Sequence, residues 1–298
     1  MSTRRPTRGD TSGRVYLDLQ RLARRSNRPT DEIFRLYALE ALVARIAASR
    51  HAEHLVLKGG VLLAAFDVRR PTRDVDLVAR QMNGEIGKVL AVIREVASLT
   101  MDDGVEFDAE AATAAPIRED SSYAGVRVEL GGRLSRARLA LNVDVNIGDP
   151  MVPGPRSTPI PRLLGGTLSV LAHPLSMVLA EKIVTAMERR TLSTRWRDFV
   201  DIAALARARR IPSDELLDSM QAVARHREVP LLQLATCLVG YAEAAQARWM
   251  DWRRKQRLED RTPAQFSELL AEVIAFADPI LDADPEGLTW DPATRRWG

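Results

Sequence analysis

Cysteine is almost absent from this sequence, and so are the features that mark secreted, zinc-binding or membrane-spanning proteins. Cys237 is the single cysteine, which excludes an intramolecular disulfide and favours the reducing cytoplasm. The four histidines lack metal-ligand spacing, because no companion cysteine or histidine follows the pair His51 and His54. Residues 1–14 contain arginines but no apolar segment of a signal peptide. No stretch approaches the roughly 18 apolar residues of a membrane span, so we expect a cytoplasmic protein without membrane contact.

Length and composition are those of a globular protein with room for two domains. The chain has 298 residues, of which 46% are hydrophobic and 28% are charged. A net charge of +3 does not by itself indicate nucleic-acid binding. Arginine is nevertheless dense over residues 4–28, 189–210 and 253–257. Each dense segment could be a solvated helix face or a contact for a flexible polyanion, and the sequence leaves both open.

The pattern of hydrophobic residues predicts an α+β fold in two domains. Residues 1–13 are expected to form a disordered basic tail, 14–155 a core domain with a mixed sheet, and 156–298 a mostly helical domain. The boundary is placed within residues 148–173, because this segment is rich in proline and glycine and lacks periodicity. The polar residues 282–298 are expected to lie across the surface. Helices are predicted over 15–26, from 31 onward, and over 83–97, 174–190, 193–209, 213–226, 231–257 and 262–281; strands are predicted over 105–107, 123–130 and 138–147.

The most informative stretch is residues 55–78, LVLKGGVLLAAFDVRRPTRDVDLV, which combines a strand, a glycine turn, a short helix and a second strand. Asp74 and Asp76 project from one face of the second strand, roughly 6.6 Å apart along the chain, while Val75 points into a core. Adjacent carboxylates repel each other, and a bound divalent cation is the usual reason to tolerate them. A solvated strand face is the plain alternative.

Gly59 and Gly60 lie between the first strand and the helical segment 61–66. This layout leaves backbone N–H groups unpaired at a helix start, where the helix dipole favours an anion such as phosphate. Taken alone, a glycine pair after a strand is more often a plain tight turn. The order of glycines, three arginines ending at Arg73, and then the two aspartates favours a combined phosphate and metal site.

The strand predicted over residues 138–147 alternates between apolar and polar positions. Leu141, Val143 and Val145 share one face, and Asp144 lies on the opposite face with the asparagines. Asp144 could therefore lie beside the two aspartates of the earlier strand. It could equally be an outward-facing charge on an antiparallel strand.

Lys182 falls in the middle of the apolar face of the helix predicted over 174–190. A lysine in that position needs an anion, such as a triphosphate, or must extend its ammonium group into water. In the next helix, Asp198 and Asp201 lie three residues apart and share a face. Taken alone, they predict surface ion pairs of small worth with neighbouring arginines.

Together these motifs resemble a known family. The segment KGG at 58–60, followed by TRDVDL at 72–77, is similar to the first motif of DNA-polymerase-beta-type nucleotidyltransferases, in the form found in AbiEii and MenT toxins. Lys182 and the segment RWRDFVD at 195–201 resemble the third and fourth motifs of these toxins. The likeness spans about residues 58–201. One departure is Gly60, where many relatives have serine.

The resemblance implies roles for the residues that match. The core domain would be a nucleotidyltransferase domain and would form, with the helical domain, two lobes around a central cleft. Mg²⁺ would be the cofactor. Catalytic residues would be Asp74, Asp76, Asp144, Lys182 and Asp201, with the first three as metal ligands, and nucleotide-binding residues would be Lys58, Gly59, Gly60, Arg73 and Asp198.

The resemblance also implies a function. The chain would be a toxin of a toxin–antitoxin system that transfers a nucleotide from an NTP to the 3′ acceptor end of tRNA, which blocks aminoacylation and translation. Its partners would be NTP, tRNA and a cognate antitoxin protein. Two alternatives stay open: the same chemistry on a small molecule or a protein, or a non-catalytic RNA-binding module.

Overall fold

A computed structural model of the chain describes residues 5–82, 84–117, 125–282 and 287–298. The chain divides into two compact units. The first unit extends to Asp149 and includes Pro155–Ala172, and the second contains Pro150–Gly154 and His173–Gly298. The first unit therefore continues past residue 155, where the sequence predicted its end, because two further strands join the same sheet.

A mixed sheet of seven strands forms the centre of the first unit. The strands are β1 (Leu55–Lys58), β2 (Asp74–Ala79), β3 (Val105–Pro116), β4 (Gly125–Leu134), β5 (Ala137–Ile147), β6 (Arg156–Pro161) and β7 (Thr167–Ala172). Across the sheet their order is β3-β4-β5-β2-β1-β7-β6. β2 is parallel to β5, and β1 is antiparallel to β2 and parallel to β7. This mixture agrees with the predicted mixed sheet.

The helices of the first unit are α1 (Thr11–Arg25), α2 (Thr30–Ala48), the four-residue α3 (Gly59–Leu62) and α4 (Ile86–Ala97). A 3₁₀ turn over Leu63–Phe66 continues α3. α2 is buried on nearly all sides from Ile33 to Ile46, so this helix forms part of the core of the first unit. α1 begins inside the segment predicted as a disordered tail, because the Asp10 side chain accepts a hydrogen bond from the Gly13 N–H at 2.6 Å and caps the helix.

Two local predictions in the first unit were wrong, and both errors concern strands. The strand predicted to end at residue 130 continues through Gly131 and Gly132 to Leu134, and the chain turns at residues 135–136. β6 and β7 were missed because each has only six residues, two of those in β6 are proline, and the loop between them contains Gly165 and Gly166. The alternation of β5 is confirmed, since Leu141, Val143 and Val145 are buried. The predicted element ends at Asn83 and Tyr123 lie outside the described residues.

The second unit is mostly helical. Its helices are α5 (Leu175–Arg189), α6 (Trp196–Ala208), α7 (Ser213–His226), α8 (Leu234–Cys237), α9 (Tyr241–Gln256), α10 (Phe266–Ala277) and α11 (Pro279–Asp282), with a 3₁₀ turn over Arg190–Leu192. Three short strands, β8 (Ile211–Pro212), β9 (Thr289–Asp291) and β10 (Arg296–Trp297), form a small antiparallel sheet. In the described part of the chain, no helix combines the length and apolarity needed to cross a bilayer.

The end of the chain is a folded part of the second unit and does not lie across its surface as predicted. Trp290 in β9 is buried, and its indole N–H donates to the carbonyl of Ala206 in α6 at 2.7 Å. Trp290 and Trp297 both pack against Phe276 in α10. The polar composition of this segment concealed its fold, because two large aromatic side chains provide most of its buried apolar surface.

Candidate functional site

Four charged residues form a row across four adjacent strands of the first unit. The register places Arg127 of β4 opposite Asp144 of β5, Asp144 opposite Asp76 of β2, and Asp76 opposite Lys58 of β1. Paired residues on neighbouring strands project from the same face, so the four side chains lie side by side. We call these residues the charged row. Two acidic groups occupy its middle, and a basic group lies at each end.

Asp76 is the electrostatic centre of the charged row. It is partly buried, and this burial raises the pKa of its carboxyl group to about 6. Lys58 opposes that effect, while the negative charges of Asp144 and Asp74 add to it. The nearby positive charge therefore does not fully offset the cost of burying the Asp76 carboxylate, and a bound cation would favour its ionised form.

Gly59 and Gly60 bring the backbone against this carboxylate. Gly59 has φ +65°, and a Cβ atom at this position would lie 1.9 Å from Oδ2 of Asp76. A Cβ atom at position 60 would lie 2.5 Å from Oγ1 of the buried Thr72. The Gly60 N–H donates a long hydrogen bond of 3.4 Å to Oδ2 of Asp76. Residues other than glycine are thus excluded at positions 59 and 60, because a Cβ atom at either position would clash with its neighbour.

The other residues predicted near this site have defined contacts. Nζ of Lys58 donates to Oδ2 of Asp149 at 2.7 Å, and both side chains are largely buried. Oδ1 of Asp74 accepts a hydrogen bond from the amide of Asn142 at 2.9 Å. Arg73 precedes β2 and is exposed. The first unit therefore brings Asp74, Asp76 and Asp144 to one face, which decides between the two interpretations that alternation alone left open for Asp144.

Arg127 was missed at the level of sequence. Its Nε donates to Oδ1 of Asp144 at 2.7 Å, and a terminal guanidinium nitrogen donates to Oδ2 at 2.6 Å. A signal was present, because Arg127 lies between Val126 and Val128 on an alternating strand, and hence on its polar face. The partner strand could not be identified from that pattern.

The donor chemistry of this site fits a magnesium ion. No group of three or more Asp, Glu, His or Cys side chains positioned to hold a metal occurs among the described residues. Mg²⁺, however, is commonly bound by one or two carboxylates, with substrate phosphates and water completing its coordination. Asp74 and Asp76, two positions apart on one face of β2, supply that number of hard oxygen donors.

The second unit contains the other predicted site residues in a separate cluster. Nζ of Lys182 donates to Oδ1 of Asp198 and to Oδ2 of Asp201, at 2.7 Å in each case. The side chain of Lys182 is 11% exposed and that of Asp201 is 1% exposed. Lys182 therefore does not extend into water, and the anions that meet its ammonium group belong to the protein. Asp198 and Asp201 were predicted to pair with arginines at the surface, but both pair with the largely buried Lys182. Asp198 also has a long contact of 3.9 Å with Arg195.

Comparison with known proteins places most of the chain in one sequence family. The model of the family described as "Nucleotidyl transferase AbiEii toxin, Type IV TA system" matches residues 40–291. The crystal structure of JHP933 from Helicobacter pylori is similar at 13% identity and a TM-score of 0.47, over 89% of this chain and 91% of that one. A "putative nucleotidyltransferase" from H. pylori has the same identity of 13% and TM-score of 0.47, over 89% of this chain and 94% of its own. No curated protein sequence matches the chain.

Proposed function

Because the chain belongs to the AbiEii family of nucleotidyltransferase toxins, we propose that it transfers a nucleoside monophosphate from an NTP to the 3′ acceptor end of tRNA. The 3′-hydroxyl oxygen would attack the α-phosphorus, the bond to the β-phosphate would break, and pyrophosphate would leave. A tRNA modified in this way cannot be aminoacylated, so translation would stop. The family is defined by a type IV toxin–antitoxin system, and we propose a cognate antitoxin protein as the partner.

The observation that supports this proposal best is the close approach of Gly59 to Asp76. A backbone without side chains lies directly against a carboxylate, in a turn that begins a helical segment. Backbone N–H groups in glycine turns commonly bind phosphate groups, and the adjacent carboxylates suit the cation that accompanies a triphosphate. A purely structural turn would not need a partly buried carboxylate with a raised pKa beside it.

Each residue of the first unit then has a defined task. Asp74 and Asp76 would hold Mg²⁺, which when bound supplies positive charge to the triphosphate and to the attacking hydroxyl group. Gly59 and Gly60 would let the backbone approach the phosphates closely. Arg73, which is exposed before β2, would add positive charge as pyrophosphate leaves.

Lys58 and Asp144 are better described by their contacts than by the roles the resemblance implied. Lys58 moderates the charge of Asp76 from the neighbouring strand while its ammonium group binds Asp149. The resemblance implies that Asp144 is a catalytic residue and a third metal ligand. Both of its oxygens accept hydrogen bonds from Arg127, which offsets their charge and makes Asp144 a weaker metal ligand and a weaker base while that pair persists.

For the second unit, we propose that Asp198 and Asp201 hold the ammonium group of Lys182 in a fixed orientation. Contact of Lys182 with the nucleotide stays a prediction, and so do the catalytic role of Asp201 and the nucleotide-binding role of Asp198. The arginine-rich segments are proposed to bind RNA phosphates. Such contacts would make tRNA binding weaken steeply with salt.

A transfer assay tests the proposal. Purified full-length protein is incubated with each of the four labelled NTPs, total tRNA and Mg²⁺, and the labelled species is identified by its size and by its loss on removal of the 3′ end. We expect labelled tRNA with the wild-type chain and none with Asp76→Asn. Asp108→Asn is the matched control, because Asp108 is an exposed carboxylate in the same sheet. Absence of label in tRNA, or equal labelling by Asp76→Asn, contradicts the proposal.

A further inference from the structure

We infer that Arg127 takes the place of a second metal ion beside Asp144, so that the site binds a single Mg²⁺ through Asp74 and Asp76. This inference rests on the proposed function and specifies which groups neutralise the negative charge of the site. Nucleotidyl transfer is often supported by two metal ions, which need carboxylates shared between them. In this chain the guanidinium group of Arg127 binds Asp144, which is the carboxylate that a second ion would use.

The contact between Arg127 and Asp144 is the first support for this inference. Two nearly parallel hydrogen bonds of 2.7 and 2.6 Å join Nε and a terminal nitrogen of Arg127 to the two oxygens of Asp144. Bidentate, charge-assisted pairs of this kind are the strongest side-chain hydrogen bonds in proteins. The Asp144 side chain is only 13% exposed, so few directions remain from which a cation could reach its oxygens. A metal ion would have to use the lone pairs that these two bonds leave, on oxygens whose charge Arg127 already offsets.

The order of the strands supplies the second support. β5 lies between β4 and β2, so Arg127 binds Asp144 from the side away from Asp76. The guanidinium group therefore supplies its positive charge on the β4 side of Asp144, and a metal shared by Asp76 and Asp144 would have to share the Asp144 oxygens with it. Asp76 keeps only Asp74 as a carboxylate neighbour on its own strand.

Charge balance along the row agrees with this assignment. Arginine stays protonated at every pH at which the protein is folded, so Arg127 is a permanent cation. It offsets the charge of Asp144 in the absence of any ligand, while Lys58 at the other end of the row also serves Asp149. In the part of the chain that the structure describes, no arginine or lysine forms an ion pair with Asp74 or Asp76, so the charge of these two groups remains for a cation. A single divalent cation matches it.

The test counts bound metal ions directly. Mn²⁺ is titrated into the full-length protein with a non-hydrolysable NTP analogue, and bound ions are counted by electron paramagnetic resonance. We expect one bound Mn²⁺ per wild-type chain. Arg127→Gln, which removes the positive charge, is expected to bind two, and Arg127→Lys, which keeps it, is expected to bind one. Arg133→Gln is the matched control, because Arg133 is on the same strand in an exposed pair with Glu106.

A second variant makes the test independent of how well Arg127→Gln folds. If Asp144 is not a ligand, Asp144→Asn keeps the count at one and leaves the affinity of that ion within about threefold, whereas loss of even an outer-shell partner of a ligand typically costs about 10–100-fold. Two ions bound to the wild-type chain, one ion bound to folded Arg127→Gln, or a tenfold loss of affinity in Asp144→Asn would overturn the inference.

Transfer of label to tRNA is measured on the same samples, which separates the two proposals. Labelled tRNA together with two bound ions overturns only the role inferred for Arg127 and supports the proposed function. Bound Mn²⁺ without labelled tRNA under any condition overturns the proposed function, and absence of bound Mn²⁺ overturns both.

Discussion

The ammonium group of Lys182 lies 2.7 Å from Oδ2 of Asp201, a carboxylate whose side chain is 1% exposed to solvent. α5 and α6 are therefore joined by an ion pair inside the second unit, and Asp198 provides a second acceptor at its edge. Buried pairs of this kind contribute little net stability as pairs, but each member is needed once the other is present.

This pair gives the first prediction. Lys182→Met is expected to lower the free energy of unfolding by about 3–5 kcal/mol, because the buried Asp201 carboxylate loses its ammonium partner. Urea unfolding followed by circular dichroism measures the change. Lys88→Met is the matched control, since Lys88 forms an exposed pair with Glu85, and its effect should stay below about 1 kcal/mol. Equal effects of the two substitutions would show that Lys182 is not held as described.

The raised pKa of Asp76 gives a prediction about pH. An ordinary aspartate titrates near 3.8, and folding raises the pKa of Asp76 to about 6, so the folded state binds more protons than the unfolded state between these values. The stability associated with this group is fully present below pH 3.8 and is lost as the pH rises through 6. Asp76→Asn cannot ionise, so without metal it should become more stable than the wild type by up to about 3 kcal/mol at pH 7.5.

Urea unfolding in EDTA at pH 4.5 and at pH 7.5 measures that difference. The advantage of Asp76→Asn should be small at the lower pH and large at the higher one. Asp108→Asn, the exposed control in the same sheet, should show no such trend. A difference independent of pH would mean that the Asp76 carboxyl group is not destabilised by burial. Mg²⁺ with nucleotide should reduce the difference by stabilising only the wild type.

The glycine turn gives a third prediction. Gly59→Ala should lower the free energy of unfolding by more than about 1 kcal/mol and abolish tRNA labelling, because it forces a Cβ atom into the Asp76 carboxylate at a positive φ. Gly87→Ala is the matched control in α4, where a Cβ atom meets nothing within 4 Å. That control should stabilise the protein by about 0.5–1 kcal/mol through helix propensity. Thermal unfolding and the transfer assay report both effects, and unchanged labelling by Gly59→Ala would remove the glycine turn from the site.

The end of the chain gives a fourth prediction. Trp290→Ala is expected to cost about 3–5 kcal/mol, because it empties a buried site between α6 and α10. Trp297→Ala should cost less, since Trp297 is only partly buried. Chemical unfolding measures both values. Two small and equal effects would indicate that this segment contributes no packing.

Much of the fold could be predicted from periodicity. The helix at 213–226 and the strand containing Asp144 could be predicted from the spacing of apolar residues alone. α7 and β5 each bury one face, and the apolar residues of the sequence lie on that face. The helix predicted over 231–257 was too long, because Leu238 and Gly240 form a turn with φ +73° at the glycine, which divides it into α8 and α9. Six-residue elements within a segment rich in glycine and proline give little periodic signal, and so β6 and β7 were not predicted.

The sequence by itself determined which residues could carry chemistry: the Asp-x-Asp strand, the glycine pair before it, and the lysine and aspartates of the helical half. These groups are local, and their spacing places each on a known face of its own element. Only the tertiary structure decided which of them meet. Strand order brought Arg127 to Asp144, and the packing of α5 against α6 gave Lys182 two carboxylates of its own. Pairing between distant segments depends on register and on the sum of many weak contacts, and no short pattern within either segment encodes it.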